Sequence, residues 1–294
     1  MFFVQHLING LSLGSLYALI AIGYTMVYGI LRLINFAHGD LFMLGAYLGL
    51  YLLTWTGMPW WLVFIIAALM TGVFGILLEK AAYAPLRHEP RIMVLISAIG
   101  ASFFLENLAI LIFGGKPQAF TVPAFLDKNI KLDSLNFNVV QIVIPVVTIV
   151  LLIILAFLIN KTKMGMAMRA LATDYDAASL MGIDVNKVIS FTFFIGTVLA
   201  GFGGVLYASR YPQLMPLMGM MPGNKCFIAA VIGGIGNLTG AVIGGLILGM
   251  SEILIVGLFP TLNDYRDGFA FILLILILTF KPTGIFGSTV KEKV

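Results

Sequence analysis

The chain has 294 residues, of which 61% are hydrophobic and only 10% are charged. A soluble domain carries roughly 25% charged residues, so this composition excludes a soluble globular protein and indicates a polytopic membrane protein. The net charge of +4 fits cytoplasmic Lys and Arg beside anionic lipid. No basic patch is interleaved with aromatic residues, so nucleic acid is not an expected partner, whereas membrane lipid is.

The apolar runs predict eight segments when each crossing needs about 20 residues. In chain order they are 7–31, 34–53, 61–79, 92–114, 139–159, 189–209, 226–259 and 267–280. The seventh is too long for one crossing and is rich in glycine around Asn237. It is interpreted as two helices joined by an irregular turn, which a membrane tolerates only where protein buries the backbone or water lines it. We therefore predict an all-α, polytopic transmembrane helical bundle of eight or nine crossings with a broken segment that could be re-entrant. A single transmembrane domain is expected to occupy residues 1–294.

The placement of Lys and Arg predicts the orientation of these segments. Most of these residues fall on the same side as the loop 160–188, and the cytoplasmic side of a membrane protein carries the excess of positive charge. The loop 160–188 is therefore expected inside the cell and the N-terminus outside. The stretch 115–138 is then the largest external loop and a candidate surface for an external partner.

A polar island interrupts the apolar chain at Gly165–Val185, with the sequence GMAMRALATDYDAASLMGIDV. Its first part favours a helix, and Gly182 would let the chain turn back towards the next span. The small residues Ala177 and Ala178 would leave room for the side chains of a partner. The island is either a docking element for a cytoplasmic protein or an ordinary helical loop, and residue types alone do not separate the two.

Polar and ionisable residues inside the predicted spans are candidates for function, because burying a charge in the membrane is costly. The run Asn35–Asp40 opens the second span, where His38 and Asp40 could pair with each other, cap the helix or act as a gate. Glu106 lies within the fourth span and could line a path or tie two helices together. Glu252, in the seventh segment, is a third candidate of the same kind.

Motifs for enzymatic chemistry are missing from the sequence. Gly115-Lys116 is followed by Pro117, so it is not a nucleotide-binding P-loop, and Gly234–Gly240 lacks the strand and helix context of a dinucleotide site. The three histidines are scattered and suggest no metal site. We therefore expect no catalytic residues, no cofactor and no metal.

Four ordered motifs together resemble the membrane subunits of branched-chain amino acid ABC importers. They are Asn35-Phe-Ala-His-Gly-Asp40, the island Gly165–Val185, Gly233-Gly-Ile-Gly-Asn-Leu-Thr-Gly-Ala-Val-Ile-Gly-Gly245 and Lys281-Pro-Thr-Gly-Ile-Phe-Gly287. The resemblance runs essentially from end to end, and the length is similar to that of the shorter of the two permease subunits. It implies a multi-pass permease of the bacterial inner membrane that forms the translocation path for branched-chain amino acids. Its implied partners are a second related permease, two cytoplasmic ATPase subunits that hydrolyse ATP, and an external solute-binding protein.

Two groups of site residues are expected, the first implied by the resemblance and the second by the polar residues and the break in the predicted spans. Those expected to couple the permease to the ATPase are Arg169, Asp176, Ala177, Ala178 and Gly182, with Asp176 where the family pattern has Glu. Those expected to form the translocation path or gate are Asn35, His38, Asp40, Glu106, Gly236, Asn237 and Gly240.

Other functions stay open at this point. Relatives of the family import urea, short amides or other amino acids. An ion-coupled secondary transporter with Glu106 and segment 226–259 as a midplane site is the alternative from another class. It is less favoured because such carriers show paired broken helices, and the sequence has only one clear break.

Overall fold

The computed structural model describes residues 2–87, 89–132 and 135–287. Within these ranges the chain is a helical bundle, as predicted. The helices are α1 (Phe2–Leu31), α2 (His38–Thr56), α3 (Trp60–Leu78), α4 (Arg91–Phe113), α5 (Val139–Lys161), α6 (Lys163–Thr173), α7 (Tyr175–Leu180), α8 (Val185–Arg210), α9 (Met220–Gly233), α10 (Leu238–Leu258) and α11 (Arg266–Phe280). A π-helical turn at Glu79–Tyr83 and 3-10 turns at Ala84–Leu86 and Pro260–Tyr265 complete the helical elements.

Six of these helices are long and apolar enough to cross a membrane, namely α1, α3, α4, α5, α8 and α10. The shorter or less apolar helices α2, α9 and α11 fall below that combined limit of length and hydropathy. The chain is therefore a multi-pass membrane protein. The count of eight or nine crossings stays a prediction, as does the single domain over residues 1–294, which includes positions outside the described ranges.

Helix α1 lies at the centre of the bundle, packed between α8, α9 and α10. Its contact with α10 is close because small residues face each other: a Cβ added to Gly249 would lie 2.3 Å from the Cα of Gly14. Small residues allow helix backbones to approach in this way where the membrane supplies no hydrophobic driving force between helices. Helix α4, by contrast, is peripheral and exposes most of its apolar surface.

The two ends of the bundle differ in structure. At one end, which we call the α6–α7 end, these two short helices follow the C-terminal end of α5. At the opposite end, which we call the strand end, β1 (Gln118–Ala119) pairs with β4 (Gln213–Leu214), and β2 (Asn129–Leu132) pairs with β3 (Leu135–Asn138). The backbone N–H of Asn136 donates a 3.1 Å hydrogen bond to Oε1 of Gln5, so the start of α1 also lies there. The sequence predicted a loop at 115–138 and missed these short strands.

Candidate coupling and translocation site

The polar island folds into α6 and α7, and side chains at its turns set the helix boundaries. Thr162 accepts a 3.0 Å bond from the N–H of Gly165 at the start of α6. Asp174 accepts a 2.9 Å bond from the N–H of Ala177 at the start of α7, and Asp184 caps α8 through the N–H of Lys187 at 3.1 Å. Such caps satisfy backbone donors that have no partner within the helix. The side chain of Lys187 also donates to Asp184 and is the main reason why the pKa of that carboxyl is lowered.

The predicted coupling residues occupy different environments. Asp176, Ala177 and Gly182 are exposed around α7, and Gly182 has a φ of +81°, which suits the sharp turn towards α8. Ala178 differs from them because it is only 4% exposed, so its methyl group packs against its own chain and does not line the exposed surface of α7. Arg169 is directed away from α7, because its guanidinium donates to the backbone oxygen of Ile159 near the end of α5.

Two large apolar residues at the end of α7 were missed by the sequence interpretation. Leu180 is 87% exposed and Met181 is 84% exposed, next to the turn at Gly182. Together they form a small apolar surface on an otherwise polar segment. The signal was present in the sequence as Ser179-Leu180-Met181-Gly182, but the apolar face of a six-residue helix cannot be assigned from such a short run.

The broken segment consists of α9 and α10, with the break at residues 234–237. Gly234 and Gly236 have φ values of +105° and +93°, so they form the turn itself. The turn ends at Asn237, which caps α10: its Oδ1 accepts a 3.0 Å bond from the N–H of Gly240.

The C-terminal motif stabilises this break. The N–H groups of Ile285 and Phe286 donate to the backbone oxygens of Ile232 and Gly233 at 2.8 and 2.9 Å. The side chain of Asn237 donates a 3.0 Å bond to the backbone oxygen of Phe286. Two motifs that are separated in the sequence therefore form one structure, and the backbone groups exposed by the break find partners.

One cavity joins the break to the polar island. It has a volume of about 750 Å³ and is lined by Arg169 of α6, Gly236 and Asn237 of the break, Arg32, and Thr283 of the C-terminal motif. Residues predicted for coupling and residues predicted for the gate thus meet at the α6–α7 end.

A second cavity, of about 130 Å³, contains two of the predicted path residues. Asp40 and Glu106 both line it, together with Tyr24, Ser102 and Asn224. Oδ2 of Asp40 accepts a 2.6 Å hydrogen bond from the hydroxyl of Ser102, which connects α2 to α4. Glu106 is half-buried and has no hydrogen-bond partner within the described residues, so it lines the cavity and does not tie helices together.

His38 and Asn35 lie elsewhere. His38 neither pairs with Asp40 nor caps α2; its ring packs 4.4 Å from that of Tyr24 and beside Gly23, where an added Cβ would lie 2.6 Å away. Oδ1 of Asn35 accepts a 2.9 Å bond from the hydroxyl of Tyr83 and holds the non-helical segment before α2. Both residues are buried, and neither lines the cavity that contains Asp40 and Glu106.

We expect Glu106→Gln to leave folding and expression unchanged, because no partner of Glu106 is lost. The matched contrast is Glu79→Gln: Glu79 is 1% exposed, is paired with Arg87 and accepts a 2.7 Å bond from Ser190. Removing one charge from a buried pair costs about 3–5 kcal/mol. Thermal unfolding of the two purified variants checks this, and a Glu106→Gln protein as unstable as Glu79→Gln would contradict the assignment.

The fold and the site together define a class of protein. A multi-pass helical bundle with non-helical backbone lining a cavity, and an exposed helical segment at one end, is an architecture typical of membrane transport proteins. Within the described residues no group of three or more His, Cys, Asp or Glu side chains could hold a metal ion.

Comparison with known proteins identifies the family. The family model described as the permease component of branched-chain amino acid transport systems matches residues 6–278. The chain belongs to this family, whose members are transport permeases and not enzymes. It is 44% identical to the high-affinity branched-chain amino acid permease LivH of Salmonella typhimurium, over 100% of this chain and 98% of that one. It is 43% identical to BraD of Pseudomonas aeruginosa, over 99% and 98% of the two chains.

The fold also has a solved counterpart. A chain of the structure titled PsaBC from Streptococcus pneumoniae in complex with Fab aligns with a TM-score of 0.53. The alignment covers 97% of this chain and 94% of that one at 12% identity, which supports the fold alone.

Proposed function

We propose that this chain is a permease subunit of an ABC importer in the inner membrane and forms the translocation path for branched-chain amino acids. ATP would be hydrolysed by two cytoplasmic ATPase subunits bound at the α6–α7 end. A second related permease would complete the path, and an external solute-binding protein would deliver the substrate at the strand end. The names of the relatives, which are high-affinity branched-chain amino acid transport permeases, support the substrate class.

The observation that carries the proposal is the arrangement of α7. Leu180 and Met181 expose an apolar surface suited to a protein cleft, and α6 shares a cavity with the break at Gly236–Asn237. A permease without a nucleotide site needs a rigid element through which a partner can move it. The helices α6 and α7, whose first turns are capped by Thr162 and Asp174, provide such an element.

The exposed apolar face of α4 supports contact with lipid and with a second permease. Its side chains are largely apolar and exposed, and a groove of about 700 Å³ separates part of α4 from α2 and α3. Ile96 is 63% exposed and Leu111 is 81% exposed, so this face is suited to lipid and to the second permease.

The test of this function is uptake of labelled leucine, isoleucine, valine and urea by vesicles that contain the reconstituted complex. We expect uptake of the three branched-chain amino acids that requires ATP and the ATPase subunits. ATP-dependent uptake of urea alone would show that the permease carries urea in place of branched-chain amino acids, and the chain would still be an ABC importer subunit. Uptake without ATP that depends on an ion gradient would instead establish a secondary transporter.

The orientation predicts the labelling of a cysteine at the end of α7. The backbone N–H of Met181 closes α7 on the oxygen of Ala177, but its side chain is 84% exposed. Met181→Cys therefore places a reactive thiol at the end of α7 without disturbing the helix, while the native Cys226 is fully buried and should stay unlabelled. We expect a membrane-impermeant maleimide to label this variant in inside-out vesicles but not in intact cells. Labelling in intact cells would show that α7 lies outside the cell and that the predicted orientation is wrong.

A further inference from the structure

A polar cavity of about 400 Å³ lies towards the strand end, separate from the two cavities described above. It is formed by side chains of α1, α8, α9, the 3-10 turn Pro260–Tyr265 and α11. Its charged wall consists of Lys225, Arg266, Asp264 and Asp267, and Leu13 and Met221 provide apolar surface. The volume falls within the range of about 300–1,000 Å³ that is typical of small-molecule sites.

Glu252 of α10 fixes the two cations of this wall. It is 3% exposed and accepts a 2.9 Å bond from the hydroxyl of Tyr17 and a 2.6 Å bond from Nζ of Lys225. It also accepts a bond from Nε of Arg266. Because four helices contribute to these contacts, Lys225 and Arg266 are held in position before any ligand arrives.

Arg266 has hydrogen-bond donors that remain available for a ligand. Arg266 contacts Glu252 through Nε, so within the described residues the terminal nitrogens of its guanidinium have no hydrogen-bond partner. A guanidinium presents a fork of donors that matches a carboxylate. On the acidic side, Asp267 lines the cavity, is 51% exposed and uses one of its two carboxylate oxygens to pair with Lys225 at 2.6 Å, and Asp264 is also exposed.

We propose that this cavity binds the zwitterionic head of an amino acid before it enters the translocation path. The α-carboxylate is held by Arg266 and Lys225, the α-ammonium group by Asp267 and Asp264, and the apolar side chain lies against Leu13 and Met221. This inference rests on the proposed function, because placing α6–α7 in the cytoplasm puts the cavity on the outer side of the bundle, where the substrate arrives.

The alternative is a cluster that only ties helices together. Such a tie is satisfied by Glu252, Lys225 and Tyr17, all of which are buried. It gives no reason for an open cavity beside them whose rim carries two further carboxylates and unused guanidinium donors. Charges of both signs on one wall, next to apolar surface, match the three parts of an apolar amino acid.

The test measures binding of labelled leucine to the purified complex of permease and ATPase subunits without the external binding protein. We expect leucine to bind, and neither leucinamide, which lacks the carboxylate, nor 4-methylpentanoate, which lacks the ammonium group, to compete at equal concentration. Asp267→Asn should weaken leucine binding at least tenfold. It should preserve the assembled complex in gel filtration, because Asp267 is half exposed.

The matched control is Asp184→Asn. Asp184 is also an exposed carboxylate paired with a lysine, Lys187 at 2.8 Å, but it lies at the α6–α7 end. Asparagine preserves its capping of α8, so leucine binding should not change. Asp264→Asn provides a second variant on the cavity rim, expected to weaken leucine binding as well.

Three results would overturn the inference: no leucine binding to the parent complex, equal binding to the parent and to both rim variants, or competition by leucinamide as strong as by leucine. Each of these could be found while ATP-dependent uptake of leucine persists, and then only the binding cavity is wrong. Failure of the parent complex to take up any branched-chain amino acid would instead contradict the proposed function.

Discussion

A permease that carries both Leu180→Ser and Met181→Ser is expected to lose its ATPase subunits. The two side chains are 87% and 84% exposed at the end of α7, so they make little contribution to the fold of the chain itself. Burying an apolar side chain of this size contributes about 1.5–3 kcal/mol. Losing both contacts would therefore weaken binding by roughly two to four orders of magnitude.

Affinity is measured between detergent-solubilised permease and purified ATPase, together with substrate-stimulated ATP hydrolysis. Met215→Ser with Leu217→Ser is the control, because these residues are also exposed and apolar but lie in the loop at the strand end. We expect the control to bind the ATPase as the parent does. If the α7 variant binds and stimulates hydrolysis like the parent, the assignment of α7 is wrong.

Much of the fold could be predicted from the sequence because long apolar runs have only one stable form in a membrane. The predicted spans 92–114 and 139–159 differ by only one or two residues from α4 and α5. The break was predictable for a related reason: a run as long as 226–259 cannot be one crossing, and its glycines mark where the helix ends.

The site was less predictable because its contacts join residues that are distant in the sequence. Asp40 and Glu106 were each identified as candidates, but only the packing of α4 beside α2 puts them in one cavity. His38 was identified as an ionisable residue, yet it fills space beside Gly23, a role that depends on a neighbouring helix.

Burial on a short helix is equally hard to predict. Ala177 and Ala178 are adjacent and identical in type, but one is exposed and the other is buried. Which of them faces the bundle depends on the angle at which α7 leaves α6, and Asp174, by capping α7, fixes that angle. Composition does not contain this information.

The two glycines of the break are expected to respond differently to alanine, although the sequence placed them in one group. Gly236 has a φ of +93°, and an added Cβ would meet no atom closer than 4.0 Å. Gly240 is helical, but its Cβ would lie 2.3 Å from the backbone oxygen of Gly233. Alanine at Gly236 therefore strains only the turn, whereas alanine at Gly240 forces α9 and α10 apart.

Gly240→Ala is expected to destabilise the permease by about 1–3 kcal/mol, as overpacking does in other closely packed interiors. The melting temperature and the yield of assembled complex should fall together with uptake. Gly236→Ala carries a strain of about 1–2 kcal/mol, confined to one residue that lines the cavity shared with Arg169. The Gly236→Ala complex should assemble with a melting temperature close to that of the parent, whereas its leucine uptake should fall clearly.

Both variants are compared with Gly100→Ala in α4, where an added Cβ would meet no atom within 4 Å and the backbone is helical. That control should leave the melting temperature and uptake at or above the parent values, because alanine favours a helix more than glycine does. A Gly240→Ala permease with parental stability would show that α9 and α10 can separate at no cost. If Gly236→Ala loses complex and uptake equally, the turn at the break serves packing and does not move during transport.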